Sequence, residues 1–136
     1  MNRIKVLLFA LLVCGTTYAA TTKYNNPVIK RSVPDPTVIR GQDGYFYLYG
    51  TEDIHNTPIF KSRNLVRWLY VGTAFTDATR PSMVPGGGIW APDINYINGK
   101  YVMYYSMSVW GGLETCGIGV AYADKPEGPF SDHGKL

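Results

Sequence analysis

Short runs of β-favouring residues alternate along the chain with clusters of Gly, Pro, Asn and Asp, and no convincing amphipathic helix is found between them. Hairpin turns are predicted at Gln42-Asp43-Gly44 and Asn98-Gly99, because Gly and Asn accept a positive φ. The pattern therefore predicts an all-β chain. The predicted strands fall into two groups, 37–40, 45–51, 58–62 and 69–72, then 89–97, 100–107, 117–123 and a strand starting near residue 135.

The two groups of strands follow the same pattern, which indicates an internal repeat. Pro34-Asp35 opens the first group and Pro92-Asp93 opens the second, 58 residues later. In each group a Gly-containing turn follows, then a strand with closely spaced tyrosines, then a short closing strand. A four-stranded unit that repeats at about 50–60 residues is typical of a propeller blade. A β-sandwich is the alternative, although a sandwich does not require each repeat to begin with the same dipeptide.

The first 20 residues have the pattern of an export signal. A basic start is followed by an apolar run over 6–13, too short to span a bilayer, and then by the cleavage motif Thr17-Tyr18-Ala19. We therefore expect a signal peptide at 1–20, a folded part at 21–136 and a secreted or periplasmic location. Lipid anchoring at Cys14 is less favoured, because Val13 stands where that signal needs a small residue. No other segment is apolar enough to be a membrane span.

Charge and cysteine content exclude several classes of function. Removing the signal leaves 11 basic and 10 acidic residues, which are scattered, whereas a nucleic-acid partner would need a concentrated basic face. Cys116 is then the only cysteine, so an intramolecular disulfide is excluded, and we expect its side chain to be buried in packing. His55 and His133 are isolated, and the sequence shows no metal site and identifies no cofactor.

Two aspartates are the candidate catalytic residues. Asp35 lies between Pro34 and Pro36, which predicts an extended backbone at this position. Alone, an Asp-Pro pair most often marks a surface turn, but Asp93 occupies the equivalent place in the second repeat. Carboxylates from neighbouring blades that face one channel repel each other, and such clusters usually exist because chemistry needs them.

Aromatic residues are the compositional outlier, with 11 Tyr and 3 Trp. Most of the tyrosines are expected to be structural, because aromatic side chains pack well on pleated sheets. Two tryptophans are candidate substrate-binding residues that stack on sugar rings. Trp90 lies three residues before Asp93, where packing is an equally good interpretation, and Trp110 lies in a glycine-rich loop.

These segments resemble glycoside hydrolase family 43, whose members are five-bladed β-propellers and include arabinanases, arabinofuranosidases and β-xylosidases. Trp90-Ala91-Pro92-Asp93 is the specific marker, and the matching segments cover nearly all of 21–136. The resemblance implies an all-β, five-bladed β-propeller of which this chain supplies about the first two blades, incomplete at its C-terminus. The matching segments are 35–39, 45–51, 60–68, 89–94, 99–101, 104–106, 117–121 and 126–130.

The resemblance also implies a function, the inverting hydrolysis of α-L-arabinofuranosyl linkages in plant polysaccharide, with endo-1,5-arabinanase activity favoured. Asp35 would be the general base and Asp93 would raise the pKa of a general acid. The acid would be a glutamate on a later blade, because Glu52, Glu114 and Glu127 do not match the family's acid motif, and Glu127 lies in a turn expected to be solvated.

Alternatives remain open at this stage. They are a β-xylosidase or xylan arabinofuranosidase, and a carbohydrate-binding propeller without catalysis. The implied partner is a polysaccharide or oligosaccharide, with a monomer expected for the full-length protein. Family members often hold an ion in the channel, such as calcium, frequently near a later histidine.

Overall fold

The computed structural model describes residues 23–112 and 115–136, so the predicted signal, Cys14 and Glu114 lie outside the described residues. It contains two four-stranded antiparallel sheets, each with its strands side by side in chain order. The first sheet is formed by β1 (Thr37–Arg40), β2 (Phe46–Tyr49), β3 (Pro58–Ser62) and β4 (Trp68–Thr73). The second is formed by β5 (Gly88–Ile97), β6 (Lys100–Ser108), β7 (Cys116–Ala123) and β8 (Ser131–Lys135).

The predicted division into two four-stranded units is confirmed, and both hairpin turns occur where Gly and Asn allow them. Gly44 has a φ of 82°, and Asn98 and Gly99 have φ values of 50° and 82°. The prediction for β8 was wrong, because this strand begins at Ser131 and not near residue 135. Its residues have weak strand propensity, and pairing with β7 establishes the strand through Tyr122↔Ser131 and Ala121↔Asp132.

One hydrophobic core joins the two sheets, and β1 and β2 pack against β5. Fully buried aromatic side chains from both sheets meet in it edge to face. The ring centroids of Tyr49 and Phe130 are 6.0 Å apart, and those of Phe75 and Tyr105 are 5.7 Å apart. These tyrosines thus have the packing role that their abundance in strands predicts.

Hydrogen bonds between the sheets supplement the core. The buried Tyr49 hydroxyl donates to the carbonyl oxygen of Pro126 at 2.5 Å. The Tyr47 hydroxyl lies 2.6 Å from Glu127 Oε1, and Lys61 Nζ donates to the same oxygen at 2.9 Å. The expectation that Glu127 is solvated was therefore wrong, because its carboxylate is half-buried and paired across the junction of the two sheets. We call this junction, formed by these five residues, the inter-sheet seam.

Cys116 was expected to be buried, and the structure corrects this, since its side chain is exposed. Cys116 is the first residue of β7 and pairs with Ser108, the last residue of β6, so it lies at the end of the sheet and outside the core. Among residues 23–112 and 115–136, we find no helix long and apolar enough to pass through a lipid bilayer.

Candidate functional site

Asp35 lies just before β1 in a backbone conformation that the sequence did not predict. Its φ is +47°, in the left-handed region, so the predicted extended backbone was wrong. A following proline disfavours the right-handed helical region, but Asp tolerates the left-handed one better than most residues do. Pro34, the residue before Asp35, is held in place because its carbonyl accepts a hydrogen bond from the Thr51 N–H at 2.9 Å.

A threonine connects the Asp35 carboxylate to the second sheet. The hydroxyl of Thr51 donates to Asp35 Oδ2 at 2.7 Å, and the Ala91 N–H donates to the same hydroxyl oxygen at 2.7 Å. Thr51 is buried, whereas Asp35 is exposed. The carboxylate is therefore anchored through one oxygen on a buried group and remains accessible to solvent.

A β-bulge in β5 makes this connection available. The pairing of β5 with β6 shifts between Trp90, opposite Ser106, and Asp93, opposite Tyr104, so β5 has one extra residue there. Ala91 lies in the bulge with a φ of +44°, and its N–H points to Thr51 and not to β6.

Asp93 lies two residues after Ala91, at the point where pairing with β6 resumes. Its side chain is exposed, and its Oδ2 accepts a hydrogen bond from Asn95 Nδ2 at 3.0 Å. The structure therefore brings Asp35 to β5, the strand that carries Asp93. Thr51 connects Asp35 to Ala91 in the β5 bulge, and Asp93 follows this bulge in the same strand.

Glu52 forms a second connection beside the first. Its side chain is 9% exposed, and its two oxygens accept from both terminal nitrogens of Arg80, at 2.5 and 2.6 Å. The amides of Ile89 and Asn56 donate to the same carboxylate at 2.9 and 3.0 Å. Burial alone would raise the pKa of Glu52, but the hydrogen bonds from Arg80 and the two amides outweigh it and hold the pKa below its ordinary value. Glu52 is therefore an ionised structural residue, unsuited to donating a proton.

The two candidate binding tryptophans lie in contact. The rings of Trp90 and Trp110 stack with their centroids 5.4 Å apart and their planes inclined by 27°. Trp90 is half-buried and donates through Nε1 to the Ser108 carbonyl at 3.2 Å, whereas Trp110 is 85% exposed. Trp90 thus packs against β6 and against the exposed Trp110 indole, and sugar stacking by either residue stays a prediction.

The part of the chain that the structure describes contains no cluster of three His, Cys, Asp or Glu side chains arranged to hold a metal ion. His55 has the nearest acidic neighbours of the two histidines, with Nε2 at 3.6 Å from Asp77 and Nδ1 at 3.9 Å from Glu52. The Arg80 guanidinium already neutralises Glu52 there, so the group offers a poor environment for a cation.

Comparison with known proteins places these features in context. Residues 24–136 match the sequence model of glycosyl hydrolases family 43. A non-reducing end α-L-arabinofuranosidase of Bacteroides ovatus is 30% identical over 138 residues, covering 96% of this chain and 25% of the relative. Arabinan endo-1,5-α-L-arabinosidase A of Aspergillus niger is 32% identical over 104 residues, covering 74% and 31%.

The chain is also similar to solved structures of arabinanases. The Cellvibrio cellulosa α-L-arabinanase complexed with arabinohexaose superposes with a TM-score of 0.65 at 31% identity, covering 78% of this chain and 35% of that one. Across the three comparisons, this chain spans between 25% and 35% of the length of the protein it matches.

Proposed function

Because the chain belongs to glycosyl hydrolases family 43, we propose that it is the N-terminal part of an enzyme that hydrolyses α-L-arabinofuranosyl linkages in plant polysaccharide. In this proposal residues 21–136 form the first two blades of a five-bladed propeller. Residues 1–20 are the signal that directs the protein out of the cytoplasm. The observation that carries the proposal is the fixed, exposed Asp35 carboxylate, joined through Thr51 to the strand of Asp93, in a chain matched to this family over 24–136.

Asp35 is proposed as the general base of an inverting reaction. Its Oδ2 accepts the Thr51 hydroxyl, so Oδ1 is the oxygen that takes a proton from the attacking water. In inverting glycosidases the acid and the base are about 6.5–9.5 Å apart, which leaves room for that water. The water attacks the anomeric carbon while the acid protonates the leaving oxygen.

Asp93 is proposed to act on the general acid. A carboxylate near a second carboxyl group raises the pKa of that group, which keeps an acid protonated near neutral pH. The acid itself is assigned to a glutamate in a later blade. This assignment agrees with the contacts of Glu52 and Glu127, which are both held in ion pairs.

The substrate is proposed to be α-1,5-linked arabinan, cleaved within the chain. The names of the Aspergillus niger and Cellvibrio cellulosa relatives support arabinan. The exposed face of Trp110, supported by Trp90, is the proposed stacking surface for an arabinose ring. Trp90 directly precedes Ala91, whose amide donates to the Thr51 hydroxyl. The stacking surface is therefore next in β5 to the residue that links this strand to Asp35 through Thr51.

The test uses protein produced from the complete reading frame, with linear arabinan, xylan and arabinose-substituted xylan as substrates. We expect arabino-oligosaccharides from linear arabinan, and we expect Asp35→Asn to lower kcat about 10²–10⁴-fold because the base is lost. Asp124→Asn is the matched control, since Asp124 is exposed and its contact is an ion pair with Lys100. An Asp35→Asn variant with wild-type turnover would contradict the proposed base.

The product distinguishes the other candidates. Release of arabinose alone from chain ends indicates an exo-acting enzyme. Release of xylose, or of arabinose from substituted xylan only, indicates the xylan-directed alternative. Binding of arabinan by wild-type protein without any hydrolysis indicates a carbohydrate-binding propeller.

A further inference from the structure

The buried hydroxyl of Thr51 is shared by two groups from different sheets. It lies 2.7 Å from Asp35 Oδ2 and 2.7 Å from the Ala91 nitrogen, and Thr51 is 4% exposed. We propose that Thr51 is a positioning residue for the hydrolysis, and that its hydroxyl fixes the Asp35 carboxylate relative to β5. This inference rests on the proposed role of Asp35 as general base.

The chemistry of the groups sets the direction of both hydrogen bonds. The Ala91 N–H is only a donor, so the Thr51 oxygen must accept from it. The hydroxyl has one hydrogen, and that hydrogen is directed to Asp35 Oδ2. The threonine therefore holds an accepting oxygen of Asp35 in one orientation, and the hydrogen-bond direction cannot reverse.

Thr51 is itself held on both sides, which makes it a firm support. Its N–H donates to the Pro34 carbonyl at 2.9 Å. The next residue, Glu52, donates its N–H to the Ile89 carbonyl at 3.1 Å and accepts the Ile89 N–H at 2.9 Å. These bonds hold the backbone that carries the Thr51 hydroxyl against both the segment before β1 and β5.

Both partners of the hydroxyl have left-handed backbone conformations, with φ values of +47° at Asp35 and +44° at Ala91. Residues outside glycine keep such conformations only where the surrounding structure imposes them, and they cluster at functional sites. The Thr51 hydroxyl contacts both of them, and the β5 bulge leaves the Ala91 N–H directed away from β6. The hydroxyl contact, the two left-handed backbone conformations and the β5 bulge together hold the Asp35 carboxylate in one place. Such positioning matters for the rate, because a misplacement of about 1 Å can cost about 10²-fold.

The experiment compares Thr51→Val, which keeps the shape and removes the hydroxyl, with Thr51→Ser, which keeps the hydroxyl. In the full-length protein on linear arabinan, we expect Thr51→Val to lower kcat by about 10–10²-fold with KM changed by less than about threefold. Thr51→Ser should restore kcat to within about threefold of wild type. A folded Thr51→Ser protein that stays as slow as Thr51→Val would show that the methyl group matters, and would overturn the proposal.

Thr57→Val is the matched control, because Thr57 is also buried but its hydroxyl has no hydrogen-bond partner among the described residues. We expect its kcat to equal that of wild type. A second check combines Thr51→Val with Asp35→Asn. Since the threonine acts through the aspartate, Thr51→Val should change the residual rate of Asp35→Asn less than about twofold. If the rate losses of Thr51→Val and Asp35→Asn multiply in full in the double variant, the proposal is overturned.

A crystal structure of Thr51→Val gives a readout that does not depend on activity. We expect the Asp35 carboxylate to leave its wild-type position, and an unmoved carboxylate would overturn the proposal even if Thr51→Val is too unstable for kinetics at the assay temperature. Inactive wild-type protein would refute the proposed hydrolysis alone. Active wild-type protein with an inactive Asp35→Asn and a fully active Thr51→Val would refute only the role of Thr51.

Discussion

At the scale of single residues, surroundings determine what each carboxylate does. Asp35 contacts the Thr51 hydroxyl, and Glu52 follows Thr51 in the chain. Asp35 is exposed with a single anchored oxygen, whereas the Glu52 carboxylate is almost fully enclosed by four donors. The first arrangement leaves an oxygen for a reacting molecule. The second uses the whole carboxylate for structure, which is why Glu52 is excluded as an acid.

The ion pair of Glu52 predicts a pH dependence of stability. Its pKa in the folded protein is below the ordinary value of 4.5, so its contribution is complete above about pH 4.5 and is lost as the pH falls through the folded value. Glu52→Gln should lower the free energy of unfolding by about 1–3 kcal/mol at pH 7. The difference from wild type should shrink as the pH falls below 4.5.

The measurement is urea unfolding of both proteins between pH 7 and pH 3. Asp53→Asn serves as the control, because Asp53 is an exposed neighbour of Glu52, and its profile should follow that of wild type. A difference between Glu52→Gln and wild type that stays constant down to pH 3 would contradict the ionised, buried pair.

Sequence reasoning selects Asp35, Asp93, Trp90 and Trp110 as candidate site residues, because flanking prolines, the repeat and a glycine-rich loop mark them locally. It does not predict the contacts that Thr51 and Glu52 make with the second sheet. Their partners Ala91 and Ile89 lie 40 and 37 residues away, and no local pattern encodes such a contact. The position of Thr51 and Glu52 shortly after the end of β2 is the one weak signal.

At the scale of elements, β7 packs closely against its neighbours at Gly119. A Cβ added to Gly119 would lie 2.2 Å from Met83 Cε and 2.4 Å from the Tyr105 ring and hydroxyl. The Tyr105 hydroxyl is held by Asp132, so this ring has little freedom to withdraw. The alternation of residues predicts a strand here, but it does not reveal how closely a neighbouring ring approaches the backbone.

Gly119→Ala should therefore destabilise the protein by about 1–3 kcal/mol through overpacking. Gly117→Ala is the matched control on the same face of β7. Its added Cβ would meet the flexible ends of Met83 and Lys135 at 3.0 and 3.2 Å, which can move aside. Thermal unfolding of the two variants should separate them clearly, and equal midpoints would contradict the rigid contact with Tyr105.

Strand positions follow from alternation, but strand ends depend on partners. β1 and β3 have the predicted bounds, because turns with Gly or Asn and a proline mark their limits. β8 begins earlier than expected, since its residues have little strand preference and extend only by pairing with β7. The β5 bulge was also not predicted, because nothing in the marker segment other than Pro92 indicates a break in the ladder.

At the scale of the whole molecule, the inter-sheet seam couples the two sheets. Tyr49→Phe removes the donor to the Pro126 carbonyl and leaves that carbonyl without its partner in a buried place. We expect a loss of about 1–3 kcal/mol in the free energy of unfolding, with the urea m-value unchanged.

Tyr45→Phe is the matched control for the seam. The Tyr45 hydroxyl contacts Arg63 at an exposed position, so its loss should change stability by less than about 0.5 kcal/mol. A Tyr49→Phe variant as stable as Tyr45→Phe would show that the seam bond contributes nothing. The sequence predicts two repeating units from their shared opening dipeptide, but it does not predict the seam, because Tyr49 and Pro126 are 77 residues apart.

The stacked indoles of Trp90, in β5, and Trp110, just after β6, also give the protein an optical property. Trp90 and Trp110 are two of its three tryptophans, and they lie face to face, so their transitions couple and their emission depends on what covers the outer ring. Fluorescence titration can therefore test the proposed binding of a sugar to this surface without an attached dye, with Trp110→Phe as the reference.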